Sequence, residues 1–402
     1  MDTNGNRQRM QSLDPQELLL ELYKIGVRMK IGIPREILAG EKRLALTPEA
    51  VAQLTRLGFR FLIETGAGLG INYADSHFAE AGATIVETPA ETFQADLVLK
   101  VQPPLPHEAA WIRPRSLLVS MLQLNRFTRE ALDCLMAKRI TAVAYELLAD
   151  EQQQHPLLDT LSEIEGATAI TIASELLSNS QGGKGILLGG IPGLSPTEVV
   201  IIGADHAGAT AARLAMAMGA TVKVFDNDLN KLRSVQQLLG THLFTSTFHP
   251  HVLQNAFRSA DVVIGALDYL TIRHPYVISL HLVESMKRGA VLIDLRMNQG
   301  GCFETTRRFE ETADCFEQFG VLHYCKTDIS NRVARTTSMS FSNIFVPLLQ
   351  TLIDFGSASN LMKHHAGFRS GIYLYQGKLV NGFVGNHFTL PANSIDLYLS
   401  AF

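Results

Sequence analysis

The residues from Val199 to Asp226 have the types and spacing of a dinucleotide-binding segment. An apolar run from Val199 to Ile202 predicts a buried strand, and the turn GADHAG and a helical stretch of small residues follow it. Gly203 and Gly208 occupy the first and last positions of the G-x-G-x-x-G fingerprint, whose backbone N–H groups receive a pyrophosphate at a helix N-terminus. The segment therefore predicts that the chain binds a dinucleotide.

The middle glycine of this fingerprint is replaced by Asp205. Its side chain takes space that the phosphates need, and its charge opposes the attraction of the helix N-terminus for anions. Like charges about 4 Å apart repel by about 4 kcal/mol at an effective dielectric constant near 20, which is about a thousandfold in affinity. His206 could offset part of this repulsion. We therefore predict that Asp205 weakens dinucleotide binding.

Asp226 ends the second predicted strand of this segment, 23 positions after Gly203. A carboxylate there can accept hydrogen bonds from the ribose hydroxyls of adenosine and would repel a 2′-phosphate, which favours NAD as the cofactor. Asp226 could equally cap the helix predicted in FDNDLNKL, and one carboxylate can serve both purposes.

Strands and helices alternate along the chain on both sides of this segment, as is typical of parallel sheets. Strands are predicted first at MKIGIP, FRFLIE, ADLVLKV, SLLVSML and ITAVAYE, and later at VVIIG, TVKVFD, HLFTS, DVVIGA, AVLIDL and VLHYC. Helices are predicted at TPEAVAQLTRLG and RFTREALDCLMAKR. The pattern predicts an α/β protein with two Rossmann-like domains.

Two long helical patterns, LSEIEGATAITIASELLSNS and RTTSMSFSNIFVPLLQTLIDFG, flank the second run of strands. A chain that leaves each domain by a long helix can return to the first domain. We therefore predict a nucleotide domain at 161–335, inserted into a discontinuous substrate domain at 29–160 plus 336–402. Residues 1–28 are predicted to be an extension with a short helix in SLDPQELLLELY.

Composition excludes several classes of protein. The 402 residues suffice for two domains, and a net charge of −4 with no dense Lys/Arg run argues against a nucleic-acid partner. Four cysteines without metal-ligand spacing predict no metal site and fit a reduced, cytoplasmic protein. No apolar stretch approaches the roughly 18 residues of a membrane span.

Several segments together resemble alanine dehydrogenase, and the related nicotinamide nucleotide transhydrogenase domain shares much of the pattern. They are GIPREILAGEKRLALTPEAVAQLTRLGF, VETGAGLGINYADSHFAEAGATIV, ADLVLKVQPP, GGIPGLSPTEVVIIG, VKVFDNDLNKLR, ADVVIGAL and NQGGCFET. The resemblance extends over residues 30–355. It implies NAD as cofactor, a small amino-acid or keto-acid substrate bound in a cleft between the domains, and a homo-oligomer, usually a hexamer.

The resemblance assigns roles to residues that match the family. Arg43 would hold the substrate carboxylate, because a guanidinium can donate two parallel hydrogen bonds to it, and Lys100 would contact the keto oxygen or amino group. Without the resemblance, two solvated surface cations would be the more common interpretation. Lys231 and Ser162 would lie beside the cofactor, together with Asp226.

Other site positions depart from the family. Gln123 stands where many relatives have a catalytic histidine, and Asn298 stands where they have a catalytic aspartate. Both side chains form hydrogen bonds but exchange no proton near neutral pH. Arg296 replaces a small residue, and Asp328 replaces an asparagine near the nicotinamide.

Three functions remain open from the sequence. The first is an alanine dehydrogenase-like oxidoreductase, which oxidises L-alanine to pyruvate and ammonia with NAD, with Arg43 and Lys100 converging on one cleft that faces Gln123 and Asn298. The second is a catalytically impaired pseudoenzyme that binds a ligand or serves as an oligomeric partner. The third, a transhydrogenase domain, is disfavoured because the chain has no membrane segment.

Overall fold

The computed structural model describes residues 29–240, 242–267, 278–306, 315–355 and 358–399. The helix predicted in SLDPQELLLELY lies outside the described residues. Two compact units are present: the first runs to Leu158 and resumes at Val333, and the second is Asp159–Arg332. Within the described ranges, no helix is long and apolar enough to cross a membrane.

The first unit contains an eight-stranded sheet with the order β15-β14-β6-β5-β4-β1-β2-β3. Neighbouring strands from β3 to β6 run parallel, whereas β14 runs antiparallel to both β6 and β15. The strands are β1 (Lys30–Ile33), β2 (Arg60–Glu64), β3 (Thr84–Val86), β4 (Leu97–Leu99), β5 (Leu117–Ser120), β6 (Thr141–Ala144), β14 (Ile372–Tyr375) and β15 (Lys378–Leu379).

The helices of the first unit include both helices predicted between its strands. They are α1 (Pro48–Arg56), α2 (Asp75–Glu80), α3 (Pro89–Thr92), α4 (Pro106–Trp111), α5 (Arg129–Ala137), α11 (Ala334–Asp354), α12 (Ala358–His364), α13 (Ala366–Ser370), α14 (Gly382–Phe388) and α15 (Ile395–Leu399). The long helix α11 packs on α1, and its Ser338 and Ser342 hydroxyls accept the main-chain N–H groups of Leu44 and Thr47 at 2.8 and 2.9 Å.

The second unit contains a seven-stranded sheet with the order β12-β13-β11-β10-β7-β8-β9, in which only β12 runs antiparallel. The strands are β7 (Glu198–Ile202), β8 (Thr221–Phe225), β9 (Phe244–Ser246), β10 (Val262–Gly265), β11 (Val291–Asp294), β12 (Cys315–Gln318) and β13 (Val321–Tyr324). Its helices are α7 (His206–Ala217), α8 (Leu229–Leu239), α9 (Pro250–Ser259) and α10 (Leu280–Glu284), and α6 (Pro156–Leu177) begins just before the unit.

The two sheets share one strand order. In each, two strands follow the first strand outward on one side (β2 and β3, or β8 and β9), and three parallel strands proceed outward on its other side (β4, β5 and β6, or β10, β11 and β13), which is the doubly wound Rossmann arrangement. The predicted α/β fold with two Rossmann-like domains is therefore confirmed. In such sheets, ligands bind at the carboxyl ends of the strands where the order reverses. That point lies between β1 and β4 in the first unit and between β7 and β10 in the second.

One detail of the prediction differs from the structure. The pattern in LSEIEGATAITIASELLSNS predicted an amphipathic helix, but most side chains of α6 are buried or half-buried, and its exposed residues within that segment are Glu163, Thr171 and Glu175. The helix therefore has a narrow polar stripe, because small and β-branched apolar residues fill the rest of its circumference.

Candidate active site

Arg43 lies in the loop after β1, at the carboxyl edge of the first sheet, and is almost fully buried. Its Nε and Nη2 groups donate to Glu41 Oε1 and Oε2 at 2.8 and 2.6 Å. Burial opposes ionisation of Glu41, but hydrogen bonds from Arg43 and from Gln102 hold its pKa below the ordinary value. The Glu41 carboxylate therefore orients the Arg43 guanidinium.

Lys100 directly follows β4 and is buried between two carboxylates. Its Nζ lies 3.2 Å from Glu36 Oε2 and 2.8 Å from Glu108 Oε1, and the three side chains are 1–3% exposed. Burial alone would lower the pKa of Lys100, but Glu36 and Glu108 outweigh burial and raise it. Burial raises the pKa of Glu36 to about 7, although the Lys100 charge opposes that change. The cluster holds a charged lysine beside a carboxyl that titrates near neutral pH.

Gln123 follows β5, and its side chain connects to Arg43 through a chain of hydrogen bonds. Arg126 Nη1 donates to the Oε1 atoms of Gln123 and Gln102 at 3.3 and 3.2 Å. Gln102 Nε2 in turn donates to Glu41 Oε2 at 2.6 Å. Arg43, Glu41, Gln102, Arg126 and Gln123 therefore form one continuous polar network in the first unit.

The nucleotide segment of the second unit has the geometry of a phosphate-binding turn. Gly203 has a φ of 111°, and a Cβ on Gly208 would lie 2.0 Å from the Gly203 carbonyl oxygen, so both positions require glycine. Asp226 accepts the main-chain N–H of Ala204 at 2.8 Å and that of Asp228 at 2.9 Å. The Asp226 carboxylate thus holds the turn while lying at the end of β8.

Asp205 precedes α7 as its N-cap residue, but its side chain accepts no hydrogen bond from the helix. Instead, Asp205 Oδ2 lies 2.6 Å from Lys231 Nζ, and the two side chains are 28% and 30% exposed. The sequence analysis did not foresee this ion pair. An opposite charge at this distance offsets part of the repulsion expected between Asp205 and a pyrophosphate.

Asn298 lies in a 3₁₀ turn, Met297–Gln299, after β11. Its Nδ2 is 3.5 Å from Asp328 Oδ1, which is a weak hydrogen bond at most, and its buried Oδ1 has no hydrogen-bond partner within the described residues. Arg296 Nη1 donates to Glu165 Oε2 at 3.2 Å. Asn298 and Asp328 are thus neighbours in the second unit.

Within each unit, several of the predicted site residues lie together. The first unit connects Arg43 to Gln123, and the second pairs Asp205 with Lys231. Ser162 is a buried residue of α6. The expectation that Arg43 and Lys100 share a cleft with Asn298 stays a prediction, as do the individual roles of the site residues.

Sequence reasoning missed Glu36, Glu41, Gln102, Glu108 and Arg126. Signals for two of them were present. Glu41 precedes Arg43 by two positions in EKR, so the two side chains can meet in an extended loop. Gln102 follows Lys100 by two positions in KVQ, which places both on one side of an extended segment.

The chain is similar to known proteins over most of its length. Residues 32–165 match the family described as "Alanine dehydrogenase/PNT, N-terminal domain", and residues 169–382 match "Alanine dehydrogenase/PNT, C-terminal domain". The alanine dehydrogenase of Mycolicibacterium smegmatis is 36% identical over 373 residues, which cover 92% of this chain and 100% of the relative. That of Bacillus subtilis is 35% identical over 350 residues, covering 87% and 92%.

A solved structure described as L-alanine dehydrogenase superposes on the chain with a TM-score of 0.84 at 32% identity. The similarity covers 90% of this chain and 99% of that one. These relatives carry the name of an enzyme, and the alternative of a pseudoenzyme finds no support among them.

Proposed function

The chain belongs to the alanine dehydrogenase/PNT family, and from this premise we propose that it is an NAD-dependent alanine dehydrogenase. L-Alanine, NAD⁺ and water would give pyruvate, ammonium, NADH and a proton. The observation that carries the proposal is the buried Lys100, held in a charged state beside the Arg43 network at the carboxyl edge of the first sheet. Charged groups are rarely buried without a functional or structural partner.

The residues of the second unit fit an NAD molecule. A Cβ on Gly203 would lie 2.6 Å from the main chain of Ala266. The turn can therefore lie this close to Ala266 only because residue 203 is glycine. The Asp205 side chain is turned to Lys231 and accepts none of the N–H groups of the first turn of α7, which supports an anion site at that helix end. Gly203, Gly208, Asp226 and Lys231 would hold the dinucleotide.

Arg43 and Lys100 are proposed to bind the substrate. Arg43, oriented by Glu41, would donate hydrogen bonds to the α-carboxylate, and the Lys100 ammonium would donate to the keto oxygen of pyruvate. When bound, NAD would accept the hydride from Cα of alanine. Ser162, Asn298 and Asp328 are proposed to lie beside the nicotinamide end of the cofactor.

Proton transfer falls to Lys100 and Glu36, because Gln123 and Asn298 cannot exchange protons near neutral pH. The Lys100 ammonium would give a proton to the reacting group and regain one from the Glu36 carboxyl 3.2 Å away, because the pKa of Glu36, about 7, lies below that of Lys100. Gln123 and Asn298 would orient the substrate and water by hydrogen bonding. The chain would thus use a lysine–glutamate pair for the work of the family's histidine and aspartate.

Two measurements test the proposal. NADH should bind in a calorimetric titration, and pyruvate with ammonium should drive NADH oxidation followed by absorbance. Lys100→Gln should lower kcat/KM by about a hundredfold or more, the usual contribution of a proton-transferring group. Lys223→Gln is the matched control, because that lysine pairs with Glu198 in the second unit and has no role in the proposed chemistry. Bound NADH without pyruvate-dependent oxidation in the wild type would contradict the proposal.

The remaining features follow from the family and stay proposals for this chain. We propose a homo-oligomer, a hexamer by resemblance, located in the cytoplasm and acting on a small molecule without a nucleic-acid partner. Light scattering of the purified full-length chain would give its mass directly, and a monomer at micromolar concentration would contradict the oligomer.

A further inference from the structure

Gln123, which we place in the substrate site, has a main-chain conformation that few residues other than glycine adopt. Its φ is 32°, in the left-handed half of conformational space. Its carbonyl oxygen accepts the main-chain N–H groups of Arg126 and Phe127 at 2.8 and 3.0 Å. Such a conformation persists only where the surroundings fix it. These two bonds fix the turn on its downstream side.

Glu146 fixes the turn on the other side. It follows β6 in the 3₁₀ turn Tyr145–Leu147, and its Oε1 accepts the main-chain N–H of Leu122 at 2.8 Å. Burial raises the pKa of this carboxyl, and the main-chain N–H groups of Leu122, Glu146 and Gln123 oppose that rise. Its Oε2 is buried and has no hydrogen-bond partner in the described part of the chain. The carboxyl therefore directs its hydrogen bonding to the turn that carries Gln123.

Two side-chain contacts of Gln123 are weaker than these main-chain bonds. Its Nε2 donates to Met121 Sδ at 3.1 Å, and thioether sulfur is a weak acceptor. Its Oε1 accepts from Arg126 Nη1 at 3.3 Å, at the long end of the usual range. Because these contacts are long or weak, the place of Cα and Cβ on the main chain contributes to where the amide group lies.

We propose that Glu146 is a positioning residue for the reaction: it holds the main chain of Leu122 and Gln123 and thereby fixes the Gln123 amide at the substrate. The proposal rests on the proposed function in one respect, namely that Gln123 contacts the substrate. The hold on the main chain is independent of any activity, because it is a property of the turn itself.

Two variants of Glu146 separate the hydrogen bonds from the volume of the side chain. Glu146→Met keeps a similar volume but removes the acceptor, whereas Glu146→Gln keeps an acceptor oxygen. Asp75→Asn is the matched control. Asp75 also accepts a main-chain N–H, from Gly66 at 2.9 Å, and its other oxygen accepts the Thr65 hydroxyl at 2.6 Å, so it holds the loop after β2 in a comparable way.

The first measurement is hydrogen–deuterium exchange of peptides that cover residues 121–127 in the full-length protein. Glu146→Met should speed exchange there by about tenfold or more, the scale of losing hydrogen bonds to an ionisable group. Glu146→Gln should remain within about threefold of the wild type, and Asp75→Asn should leave these peptides unchanged. Unchanged exchange in Glu146→Met would overturn the proposal.

The second measurement is a double-mutant cycle in the pyruvate-dependent oxidation of NADH. Glu146→Met should lower kcat/KM by about tenfold in the wild type and by less than about twofold in a Gln123→Ala background. The second loss is smaller because both substitutions remove the same interaction, the contact of the Gln123 amide with the substrate. Equal losses in the two backgrounds would show that Glu146 acts on stability rather than through Gln123. If the wild type oxidises no NADH, the proposed function fails, and the exchange measurement alone decides whether Glu146 holds the turn.

Discussion

The two units share a doubly wound strand order but differ in how deeply the ion pairs at the carboxyl edge of each sheet are buried. In the first unit, the carboxyl edge carries buried ion pairs, with Arg43 on Glu41 and Lys100 between Glu36 and Glu108. In the second, the corresponding edge carries a glycine turn and an ion pair, Asp205 with Lys231, that remains about 30% exposed. One fold thus carries both a desolvated charged site, which we propose for the small substrate, and a more exposed one, which we propose for the anionic cofactor.

The difference has an energetic reason. Two buried charges interact strongly but lose much hydration, so either partner becomes costly once the other is removed. Partly exposed charges keep most of their hydration and interact weakly. A small substrate that must be oriented for chemistry benefits from the first environment, and a cofactor that enters and leaves benefits from the second. Four predictions test this contrast.

The largest effect is expected from breaking the buried pair of the first unit. Arg43→Met leaves the Glu41 carboxylate buried without its main partner, which should lower the free energy of unfolding by about 3–5 kcal/mol. Urea denaturation measures the loss. Adding Glu41→Met should recover most of it, because the orphaned charge is gone; a double variant as unstable as Arg43→Met would contradict this account.

A smaller effect, dependent on pH, is expected at Glu146. Burial raises the pKa of Glu146 from 4.5 to about 7, with main-chain hydrogen bonds from Leu122 and Gln123 opposing it. The folded state therefore holds a proton that the unfolded state releases, so wild-type stability falls as pH rises from about 4.5 to 7. Glu146→Gln removes this titration. Its free energy of unfolding, relative to that of the wild type, should therefore be up to about 3 kcal/mol higher at pH 8 than at pH 4.

Thermal denaturation of both proteins between pH 4 and pH 8 measures this difference. Glu36 has a similarly raised pKa, so wild-type stability as a function of pH reports both groups. Only the difference in stability between the wild type and Glu146→Gln isolates the contribution of Glu146. A difference that stays constant across this range would show that Glu146 does not titrate in it.

A still smaller effect is expected at the exposed pair of the second unit. Asp205→Gly should strengthen NADH binding by about tenfold, less than the thousandfold that about 4 kcal/mol of unscreened repulsion gives, because Lys231 already offsets part of the charge. Asp205→Asn keeps the volume and removes the charge, so it separates the two penalties. Calorimetric titration with NADH measures both, and a change below about threefold in Asp205→Gly would rule out the electrostatic penalty.

The smallest effect is expected for stability at the same pair. Lys231→Met should change the free energy of unfolding by less than about 1 kcal/mol, as is usual for exposed ion pairs. The same urea denaturation used for Arg43→Met gives the comparison directly. A loss as large as that of Arg43→Met would mean that the two sites do not differ in the way proposed here.

The sequence predicted the parallel part of the fold because that part has a strong local signal. Strands such as β7 are continuous apolar runs that end at glycine or at a charged residue. Two edge strands escaped prediction: β3 has three residues, and β12 is only partly buried, so neither carries such a run. The hairpin of β14 and β15 does carry a sequence signal, the dipeptide Gln376-Gly377 between two apolar segments. In the structure, both residues adopt the positive φ that a two-residue hairpin turn requires.

The site was predictable only in part. Arg43 and Lys100 become candidates only through the resemblance to the family, and Asp226 becomes one through its place after a predicted strand. The partners that give them their chemistry could not be predicted, because Glu36 reaches Lys100 from the loop after β1 and Glu108 reaches it from helix α4, and no local pattern encodes either contact. For the same reason, no sequence pattern predicts the pairing of Asp205 with Lys231. This pair makes the repulsion between Asp205 and a pyrophosphate smaller than the charge of Asp205 alone predicts.

The discontinuous first unit also has a consequence for how the chain folds during synthesis. Strand β14 pairs with β6, and the Ile372–Val143 contact closes a loop that contains the whole second unit. On the ribosome, Asp159–Arg332 can fold before β14 emerges, since domains generally fold as units in the order of their synthesis. Until then, the β6 edge lacks its final neighbour, and a nascent chain that stalls before Ile372 exposes a strand edge of the kind that pairs with other chains.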